Sequence, residues 1–393
     1  MQFTLRGVRL IDATQELTGS SITINGARIQ AVGAPADVTD GSIDATGMLV
    51  TPGFIEVHTH GGGGFNLHTT AVQEIQAYAR WIATTGVTSF LIAVVGTANA
   101  LPEVQLCTAV AAIEDQQAGA EALGIHLEGP YISEKRRGAH PTDWLRIPNE
   151  QETEYILGLT KNYLRLVTLA PELPGAAKMV RRLIEAGITV SIGHTDATYE
   201  QTQAALALGI THATHCFNAM RPMLHREPGP VAAIAQAQQV RGELIADGVH
   251  VHPAMMDMLI RMLGPERVVV VTDAQAVAGM PDGTFEFAGQ QVHIHCGAAR
   301  LADGVLAGSV LTMDQALRNV IELTKVTLQQ AVGMLTLNPA CSAGLAERKG
   351  RLAAGYDADL LLFDADLTLQ ATICRGRLAF ATPAWQERLH HLA

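Results

Sequence analysis

Two histidines separated by a single residue are the first candidates for chemistry in this sequence. The segment Glu56-Val57-His58-Thr59-His60 closes a short apolar run. In an extended chain, residues two apart face the same side, so both imidazoles can point at one metal ion. Taken alone, the pair fits two ordinary polar histidines equally well, because an H-x-H pattern is common in large proteins.

Further short apolar runs also end in residues of metal-ligand type. The segments are His126-Leu127-Glu128-Gly129-Pro130, Gly193-His194-Thr195, Thr214-His215 and Thr272-Asp273-Ala274. An unpaired charge at the end of a buried strand is costly, so a structural role alone does not explain several imidazoles and carboxylates at such positions. Their convergence predicts a site for a divalent metal ion.

The elements that must position these residues alternate between strand and helix. Helical stretches such as 72–85, 176–186 and 199–208 lie between apolar strand candidates. Those candidates end at Val57, Ala93, Leu127, Leu169, Ile192, Thr214, Ile245 and Val271. Within residues 53–344 this pattern predicts an α/β fold, a (β/α)8 barrel of the TIM type, with its chemistry at the carboxyl ends of the strands. A doubly wound sheet is the alternative, but the expected G-x-G-x-x-G after the first strand is missing.

The two ends of the chain have a different pattern, made of short β-like segments. Near the start, segments 21–25 and 27–32 flank Asn25-Gly26, a dipeptide that favours a hairpin turn. Near the end, segments 358–363 and 369–374 are β-like and separated by turn residues. We therefore predict a small β-sandwich domain formed by residues 1–52 together with residues 345–393, flanking the barrel at 53–344.

Composition excludes several classes of function. The formal net charge is −11, from 38 acidic and 27 basic residues with no long basic run, which argues against a nucleic-acid partner. The segment MQFTLRGVRL has no apolar signal region, and no apolar run approaches the ~18 residues that span a membrane. Five scattered cysteines without a C-x-x-C pair fit buried thiols. Together these features predict a soluble cytoplasmic protein with no membrane partner.

Several motifs fall on the inferred strand ends and continue to the C-terminal segments. They are segments 52–61, 126–130, 193–195, 215–220, 226–229, 271–274, 306–309, 350–352 and 357–360. In this order they resemble the amidohydrolase superfamily, and more narrowly the N-acetylglucosamine-6-phosphate deacetylases. The resemblance covers nearly the whole chain.

This resemblance implies a metal ion held by Glu128, His194 and His215. His58 and His60 are similar to a pair that holds a second metal in some members of the family, so one or two ions per subunit are expected. Histidine and carboxylate ligands suit Zn, Fe, Mn and Co alike. Glu56 stands where the superfamily motif more often has Asp, and its longer side chain could alter the support of the second site.

Asp273 matches the catalytic aspartate of the family, and amide hydrolysis needs such a group. The reaction requires an activated water, a polarised carbonyl and a proton for the departing amine. A carboxylate beside the metal can accept the proton of the water and later deliver it to nitrogen. The alternative role for Asp273 is to cap the helix that follows. By the same resemblance, His140 would donate to the carbonyl oxygen.

The resemblance also implies a site for a sugar phosphate. Backbone N–H groups, an imidazole and one guanidinium would bind the phosphate without making the whole protein basic. The matching residues are Ala139, His140, Asn218, Ala219, Arg226, Asp247, Gly248, Val249, His250, Leu306, Ala307 and Gly308. Without the family match, His140 and His250 would be interpreted as imidazoles in surface loops. Segment 226–229 matches a stretch that crosses the subunit interface in the family, which implies a homodimer with Arg226 acting in trans.

The function implied is metal-dependent hydrolysis of N-acetylglucosamine 6-phosphate to glucosamine 6-phosphate and acetate. N-acetylgalactosamine-6-phosphate deacetylases share the same overall pattern, and nothing in the sequence indicates the configuration at C4 of the substrate sugar. A cyclic amidase is more distant, since such enzymes use a carboxylated lysine at strand four, where this chain has Leu169-Ala170-Pro171-Glu172. A non-catalytic assembly protein of this fold should show gaps in the ligand set, and there are none. Glu172 has no assigned role, and residues 134–137 are interpreted as a solvated loop.

Overall fold

A computed structural model describes residues 2–33, 41–287, 290–295, 297–301 and 306–392. The chain begins with five strands, β1 (Gln2–Asp12), β2 (Gln15–Asn25), β3 (Arg28–Gly33), β4 (Ser42–Asp44) and β5 (Leu49–Pro52). Strands β2 and β3 form the predicted hairpin, with Asn25 opposite Arg28. Gly26 lies in its turn with φ of 58°, a left-handed conformation that glycine adopts without steric cost.

The middle of the chain is a barrel of alternating strands and helices. In chain order its elements are β6 (Phe54–Glu56), the short hairpin β7 (Gly61–Gly62) and β8 (Phe65–Asn66), α1 (Val72–Ile82), β9 (Val87–Val94), α2 (Glu103–Glu114), β10 (Glu121–Glu128), α3 (Glu150–Thr160), β11 (Leu164–Leu169), α4 (Ala176–Glu185), β12 (Thr189–Ile192), α5 (Tyr199–Leu206), β13 (His212–Ala213), α6 (Gly229–Gln236), β14 (Arg241–Ile245), α7 (Pro253–Leu263) and β15 (Val268–Val271).

Eight parallel strands form the barrel sheet in the order β6, β9, β10, β11, β12, β13, β14, β15. Each strand lies beside its predecessor in the chain, as expected when every crossover is a helix packed on the outside. Each of the eight predicted strand ends lies within one residue of an observed one. The predicted (β/α)8 barrel is therefore confirmed.

An antiparallel insertion follows the eighth barrel strand, and the sequence patterns did not predict it. Its strands are β16 (Gly283–Phe287), β17 (Gln290–His295), β18 (Ala298–Leu301) and β19 (Leu306–Ser309). Main-chain hydrogen bonds return β19 to the barrel, because Ser309 donates to the carbonyl of Asp273 over 3.0 Å and Gln275 donates to the carbonyl of Ser309 over 3.0 Å. The barrel is completed by α8 (Met313–Leu323), α9 (Leu328–Leu335) and α10 (Leu337–Ser342).

The chain ends with β20 (Leu360–Phe363), β21 (Leu369–Cys374), β22 (Arg377–Ala381) and α11 (Pro383–Leu389). Strand β20 pairs with β5, so one eight-stranded sheet contains strands from both ends of the chain. This arrangement confirms the small β domain formed by the two ends. The boundaries at residues 52/53 and 344/345 stay a prediction.

Strand β20 shows how the two units are joined. All four of its residues are buried. Leu361 and Phe363 pack in the barrel core, whereas Leu360 and Leu362 pack in the core of the end domain. Alternate side chains of a strand face opposite sides, so a continuous apolar run is what a strand between two cores requires. Among the helices of the described residues, none combines the length and apolarity needed to cross a bilayer.

Candidate active site

The carboxyl ends of five barrel strands bring together all six residues that the sequence singled out as metal ligands or catalytic carboxylate. Five of the six are buried, and Asp273 is partly exposed. His58 and His60 follow β6, Glu128 ends β10, His194 follows β12, His215 follows β13 and Asp273 follows β15. The cluster therefore lies where (β/α)8 enzymes carry their chemistry.

One group within the cluster consists of Glu128, His194 and His215. Glu128 Oε1 lies 3.1 Å from His194 Nε2 and 3.3 Å from His215 Nε2. The two imidazole nitrogens are 3.1 Å apart. Three potential ligand atoms, all within 4.8 Å of one another, thus face a common point.

A second group consists of His58, His60 and Asp273. His60 Nε2 lies 3.1 Å from Asp273 Oδ1 and 3.2 Å from Glu128 Oε2. His58 Nε2 lies 3.2 Å from Glu128 Oε1 and 3.7 Å from Asp273 Oδ1. The Glu128 carboxylate therefore lies between the two groups: Oε1 contacts His194, His215 and His58, and Oε2 contacts His60.

The hydrogen bonds on the far side of two rings fit the binding of cations in this cluster. His194 Nδ1 lies 2.9 Å from the main-chain oxygen of Arg136, which can only accept, so Nδ1 carries the proton. His58 Nδ1 bonds the Glu243 carboxylate at 2.8 Å in the same way. A divalent cation would bind the neutral form of both rings, whose Nε2 lone pairs then face the site beside Glu128. His58 Nε2 is buried without a well-oriented hydrogen bond to any described residue.

The charges of the cluster shift several pKa values. Burial raises the pKa of Asp273, but the attraction of His58 and His60 outweighs it and brings the pKa down to about 2. Glu128 is affected in the same way, and despite its burial its pKa lies well below the ordinary range because of His58 and its hydrogen-bonded imidazoles. Burial lowers the pKa of His194 to about 4. Asp273 and Glu128 therefore remain carboxylates at neutral pH, and His194 remains neutral.

The backbone is strained at the strand ends that carry these groups. Among described residues other than glycine, nine have positive φ, and five of them lie at this site: His194 (47°), His215 (27°), Phe217 (76°), Ala219 (49°) and Asp273 (48°). Such conformations cost on the order of 1–3 kcal/mol each and tend to cluster where function requires them. This concentration supports a functional interpretation of the strand ends.

Two features below the cluster hold the strands in place. Glu56 Oε1 accepts from the backbone N–H of His58 at 2.9 Å, and Oε2 accepts from that of Thr272 at 3.0 Å. The longer side chain noted in the sequence thus ties the first barrel strand to the eighth. At Gly193 a Cβ atom would lie 2.6 Å from Thr168 Cγ2. Only glycine therefore allows the backbone between the fifth strand and His194 to approach Thr168 this closely.

The loop after the third strand carries His140 to the edge of the cluster. His140 Nε2 lies 3.6 Å from Glu128 Oε2, and its ring packs edge-on against His194 with centroids 4.8 Å apart. Ala139 beside it is exposed. Asp196 anchors the same loop, because it pairs with Lys135 and Arg136 at 2.8 Å each.

Glu172, which the sequence left unassigned, positions the loop after the fifth strand. It accepts hydrogen bonds from the Thr195 hydroxyl and the Asp196 backbone N–H, both at 2.6 Å. Glu172 therefore has a structural role. Among the described residues, the end of the fourth strand carries no lysine.

On the other side of the cluster, Asp247 organises the loop after the seventh strand. Its carboxylate accepts from the backbone N–H groups of Val249 and His250 at 2.8 Å each, and from His250 Nδ1 at 2.6 Å. Burial lowers the pKa of His250, but the contact with Asp247 outweighs it, so the pKa is raised. Gly248, within this turn, has φ of 72°.

The remaining predicted substrate residues lie on strand β19 and on the loop between β13 and α6, which carries both Asn218 and Arg226. Asn218 donates its side-chain amide to the carbonyls of His215 and Cys216, at 3.3 and 3.4 Å. Gly308 is in β19, with φ of 69°. Leu306 and Ala307 are in the same strand, and their side chains lie outside the described part of the chain. Arg226 is exposed and pairs with no described residue of its own chain.

Sequence reasoning missed two buried polar residues next to the ligands, Glu243 and His212. Glu243 lies in the middle of β14, and His212 begins β13. A carboxylate in the middle of a barrel strand was a usable signal, because a buried charge needs partners. Those partners come from distant segments, so the sequence did not indicate which ligands Glu243 would contact.

Comparison with known proteins shows the family of this chain. The amidohydrolase family matches residues 49–386, and the chain belongs to that family. An N-acetylglucosamine-6-phosphate deacetylase of Lysinibacillus sphaericus is 36% identical over 340 residues, 86% of this chain and 88% of that one. An N-acetylgalactosamine-6-phosphate deacetylase of Escherichia coli O157:H7 is 36% identical over 380 residues, 96% of this chain and 100% of that one.

The fold of the whole chain is shared with solved structures. One is a mutant N-acetyl-D-glucosamine-6-phosphate deacetylase from Mycobacterium smegmatis in complex with N-acetyl-D-glucosamine-6-phosphate. It superposes with a TM-score of 0.90 at 34% identity, over 97% of this chain and 100% of that one. The N-acetylglucosamine-6-phosphate deacetylase from Pasteurella multocida gives a TM-score of 0.91 at 27% identity, with the same coverage. The predicted resemblance to this group of deacetylases is confirmed.

Proposed function

We propose that this chain is a metal-dependent deacetylase that hydrolyses N-acetylglucosamine 6-phosphate to glucosamine 6-phosphate and acetate. The observation that carries the proposal is the placement of Asp273, whose carboxylate lies 3.1 Å from His60 at the edge of a complete ligand cluster. The substrate is proposed by analogy with N-acetylglucosamine-6-phosphate deacetylases that align with most of the chain at 33–39% identity.

Glu128, His194 and His215 would hold one divalent ion, and His58, His60 and Asp273 would hold a second. The placement of Glu128 between the two groups supports a pair of ions over a single one. When bound, such an ion polarises the amide carbonyl and lowers the pKa of a neighbouring water molecule. The identity of the metal among Zn, Fe, Mn and Co is left to elemental analysis.

Asp273 acts as general base and then as general acid. With its pKa near 2 the carboxylate is ionised at neutral pH and can accept a proton from the attacking water. It then delivers this proton to the amide nitrogen, so that the amine leaves in neutral form. His140, 3.6 Å from Glu128 Oε2, would donate a hydrogen bond to the carbonyl oxygen, where negative charge develops.

The sugar phosphate would bind across the loops that follow the later strands. The backbone N–H groups of Ala219 and Gly248 would donate to the phosphate, because those of Asn218, Val249 and His250 already donate within the chain. The raised pKa of His250 favours its cationic form, which suits an anionic group. Gly308, with its left-handed conformation, lets the β19 backbone approach a ligand closely.

Arg226 would complete the phosphate site from the other subunit of a homodimer. Its loop also exposes two apolar side chains, Met223 (36%) and Leu224 (55%), which a second copy of the chain would cover.

Four unpaired thiols, at Cys107, Cys216, Cys341 and Cys374, support a cytoplasmic location. Cys296 lies outside the described residues.

A competing substrate is N-acetylgalactosamine 6-phosphate, favoured by the relative that matches 380 residues at 36% identity. The two are distinguished by measuring kcat/KM for both epimers on one metal-analysed sample, together with unphosphorylated N-acetylglucosamine. Preference for the gluco epimer supports the main proposal, and preference for the galacto epimer selects the competing one. Absence of acetate release from either phosphorylated sugar would exclude both.

A further inference from the structure

Glu243 is a fully buried carboxylate inside the barrel to which the proposed chemistry assigns no role. It lies on β14, with no exposed surface, directly beneath the ligand cluster. A buried charge is expected only where hydrogen bonds and opposite charges compensate its loss of water. The partners of Glu243 should therefore indicate what the charge is for.

Both carboxylate oxygens of Glu243 accept hydrogen bonds from groups next to the site. Oε2 accepts from His58 Nδ1 at 2.8 Å and from the backbone N–H of His215 at 2.9 Å. Oε1 accepts from His212 Nε2 at 3.0 Å. One side chain thus contacts a residue from each of the two candidate metal positions, His58 in one and His215 in the other.

We propose that Glu243 is a positioning residue that couples the two metal positions, an inference that rests on the proposed metal-dependent function. Its bond to Nδ1 fixes the tautomer of His58 and aims Nε2 at the site. Its bond to the backbone of His215 holds that residue, whose φ of 27° is unusual, in its strained conformation. Carboxylates in this position raise the basicity of a ligand imidazole, and their loss typically weakens metal affinity about 10- to 100-fold.

The third partner, His212, provides a matched control. It shares Glu243 with His58 but contacts neither ligand cluster among the described residues. If Glu243 serves only to fill and neutralise the barrel interior, the loss of His212 and the loss of the carboxylate charge should have similar effects. If it positions ligands, only changes at Glu243 should alter metal binding.

The test measures Zn²⁺ bound per chain by elemental analysis after dialysis of the intact protein against buffers of fixed free Zn²⁺. Wild type is expected to bind two equivalents. Glu243→Gln should need about 10- to 100-fold more free Zn²⁺ for the weaker equivalent, with the stronger one also shifted. His212→Asn should keep the wild-type curve. Circular dichroism and Tm report whether each variant is folded.

Wild-type Zn²⁺ binding by folded Glu243→Gln would overturn the inference, as would a wild type that binds only one ion. Should Glu243→Gln fail to fold, Glu243→Asp keeps the charge but shortens the reach, and it must shift the curve in the same direction. Failure of the proposed function can be distinguished from failure of this inference. A wild type without deacetylase activity whose ions depend on Glu243 would overturn the function and leave the inference standing.

Discussion

His194 donates its Nδ1 proton to the main-chain oxygen of Arg136 over 2.9 Å. The acceptor belongs to the loop that carries His140, and that loop is anchored through Asp196, which pairs with Arg136 and Arg221 at 2.8 and 3.1 Å. A candidate metal ligand and a candidate substrate contact are therefore positioned by one segment. Displacement of this loop would change the orientation of the His194 ring as well as the position of His140.

We predict that Glu128→Gln abolishes tight metal binding. The carboxylate approaches all four imidazoles of the two groups within 3.3 Å, and a neutral amide cannot offset the charge of two ions. Elemental analysis of protein prepared without chelator should find the ions in wild type and lose them in the variant. Glu154→Gln, at an exposed carboxylate paired with Arg182, is the control and should retain them. Full deacetylase activity in metal-free protein would contradict the mechanism.

We predict that Asp273→Asn folds normally and keeps the ion held by Glu128, His194 and His215, but loses about 10²- to 10⁴-fold in kcat. General acid–base catalysis typically contributes that much, and an amide cannot accept the proton. The measurement is kcat at saturating substrate, with metal content determined on the same sample. Asp257→Asn, at a surface pair with Arg261, should leave kcat unchanged. An equal kcat in Asp273→Asn and wild type would remove Asp273 from the reaction.

The barrel could be predicted because each strand combines a short apolar run with a polar residue at its end. Strand β15, Val268–Val271, consists of four valines followed by Thr272 and Asp273. This pattern is typical of a buried strand with polar residues at its end. The insertion that contains β16 to β19 was not predicted because strands such as β16, Gly-Thr-Phe-Glu-Phe, are short and begin with exposed residues, Gly283 and Thr284. Such strands are stabilised by their neighbours, and their own sequence carries little periodic signal.

The ligand set was predictable for the same reason, but the residues that orient it were not. Glu243 and the Arg136 carbonyl act on His58 and His194 across 185 and 58 positions of sequence. A backbone oxygen has no side-chain signature at all, and the partner of a buried carboxylate depends on which strands become neighbours. These contacts follow from the barrel fold and become visible only in three dimensions.

We predict that Lys349→Met lowers the free energy of unfolding by about 3–5 kcal/mol, because buried Asp359 would lose its counter-ion, whereas Glu121 and Asp357 keep their pairs with Arg348 and Arg28. Lys349 Nζ is buried between Glu121, Asp357 and Asp359, at 2.7, 2.9 and 2.6 Å. The cluster joins barrel strand β10 to the segment that leads into β20. Urea unfolding measures the change. Lys178→Met, at an exposed pair with Glu150, should cost no more than about 1 kcal/mol, and equal costs for the two variants would refute the prediction.

The same cluster predicts an acid-dependent loss of stability. Burial raises the pKa of Glu121, but Lys349 and Arg348 outweigh it and lower the pKa from 4.5 to about 2. Because the unfolded chain binds the proton first, Glu121 stabilises the fold above about pH 4.5, and this contribution is lost as the pH falls toward 2. It is on the order of 3 kcal/mol. Glu121→Gln should therefore show a smaller loss of unfolding free energy than wild type between these pH values, and parallel curves would contradict the assignment.

Finally, we predict that Arg226 binds the phosphate of a substrate held by the other subunit. Arg226→Ala should lower kcat/KM for the 6-phosphorylated sugar about ten- to a hundredfold, which is the ~1.5–3 kcal/mol expected for one charge-assisted contact. The unphosphorylated sugar should be hardly affected. Arg261→Ala, at an exposed surface pair, is the matched control and should change neither value.

The arrangement in trans is tested by mixing Arg226→Ala and Asp273→Asn subunits under conditions where subunits exchange. In a mixed dimer, one site combines an intact Asp273 with the intact Arg226 of the neighbouring chain, so activity should rise above that of either parent. The other site carries both defects and contributes nothing. If labelled subunits demonstrably exchange and activity does not return, Arg226 acts within its own chain or not at all. Because Arg226 is exposed and pairs with no described residue of its own chain, we expect recovery of up to half of the wild-type sites in the mixed dimers.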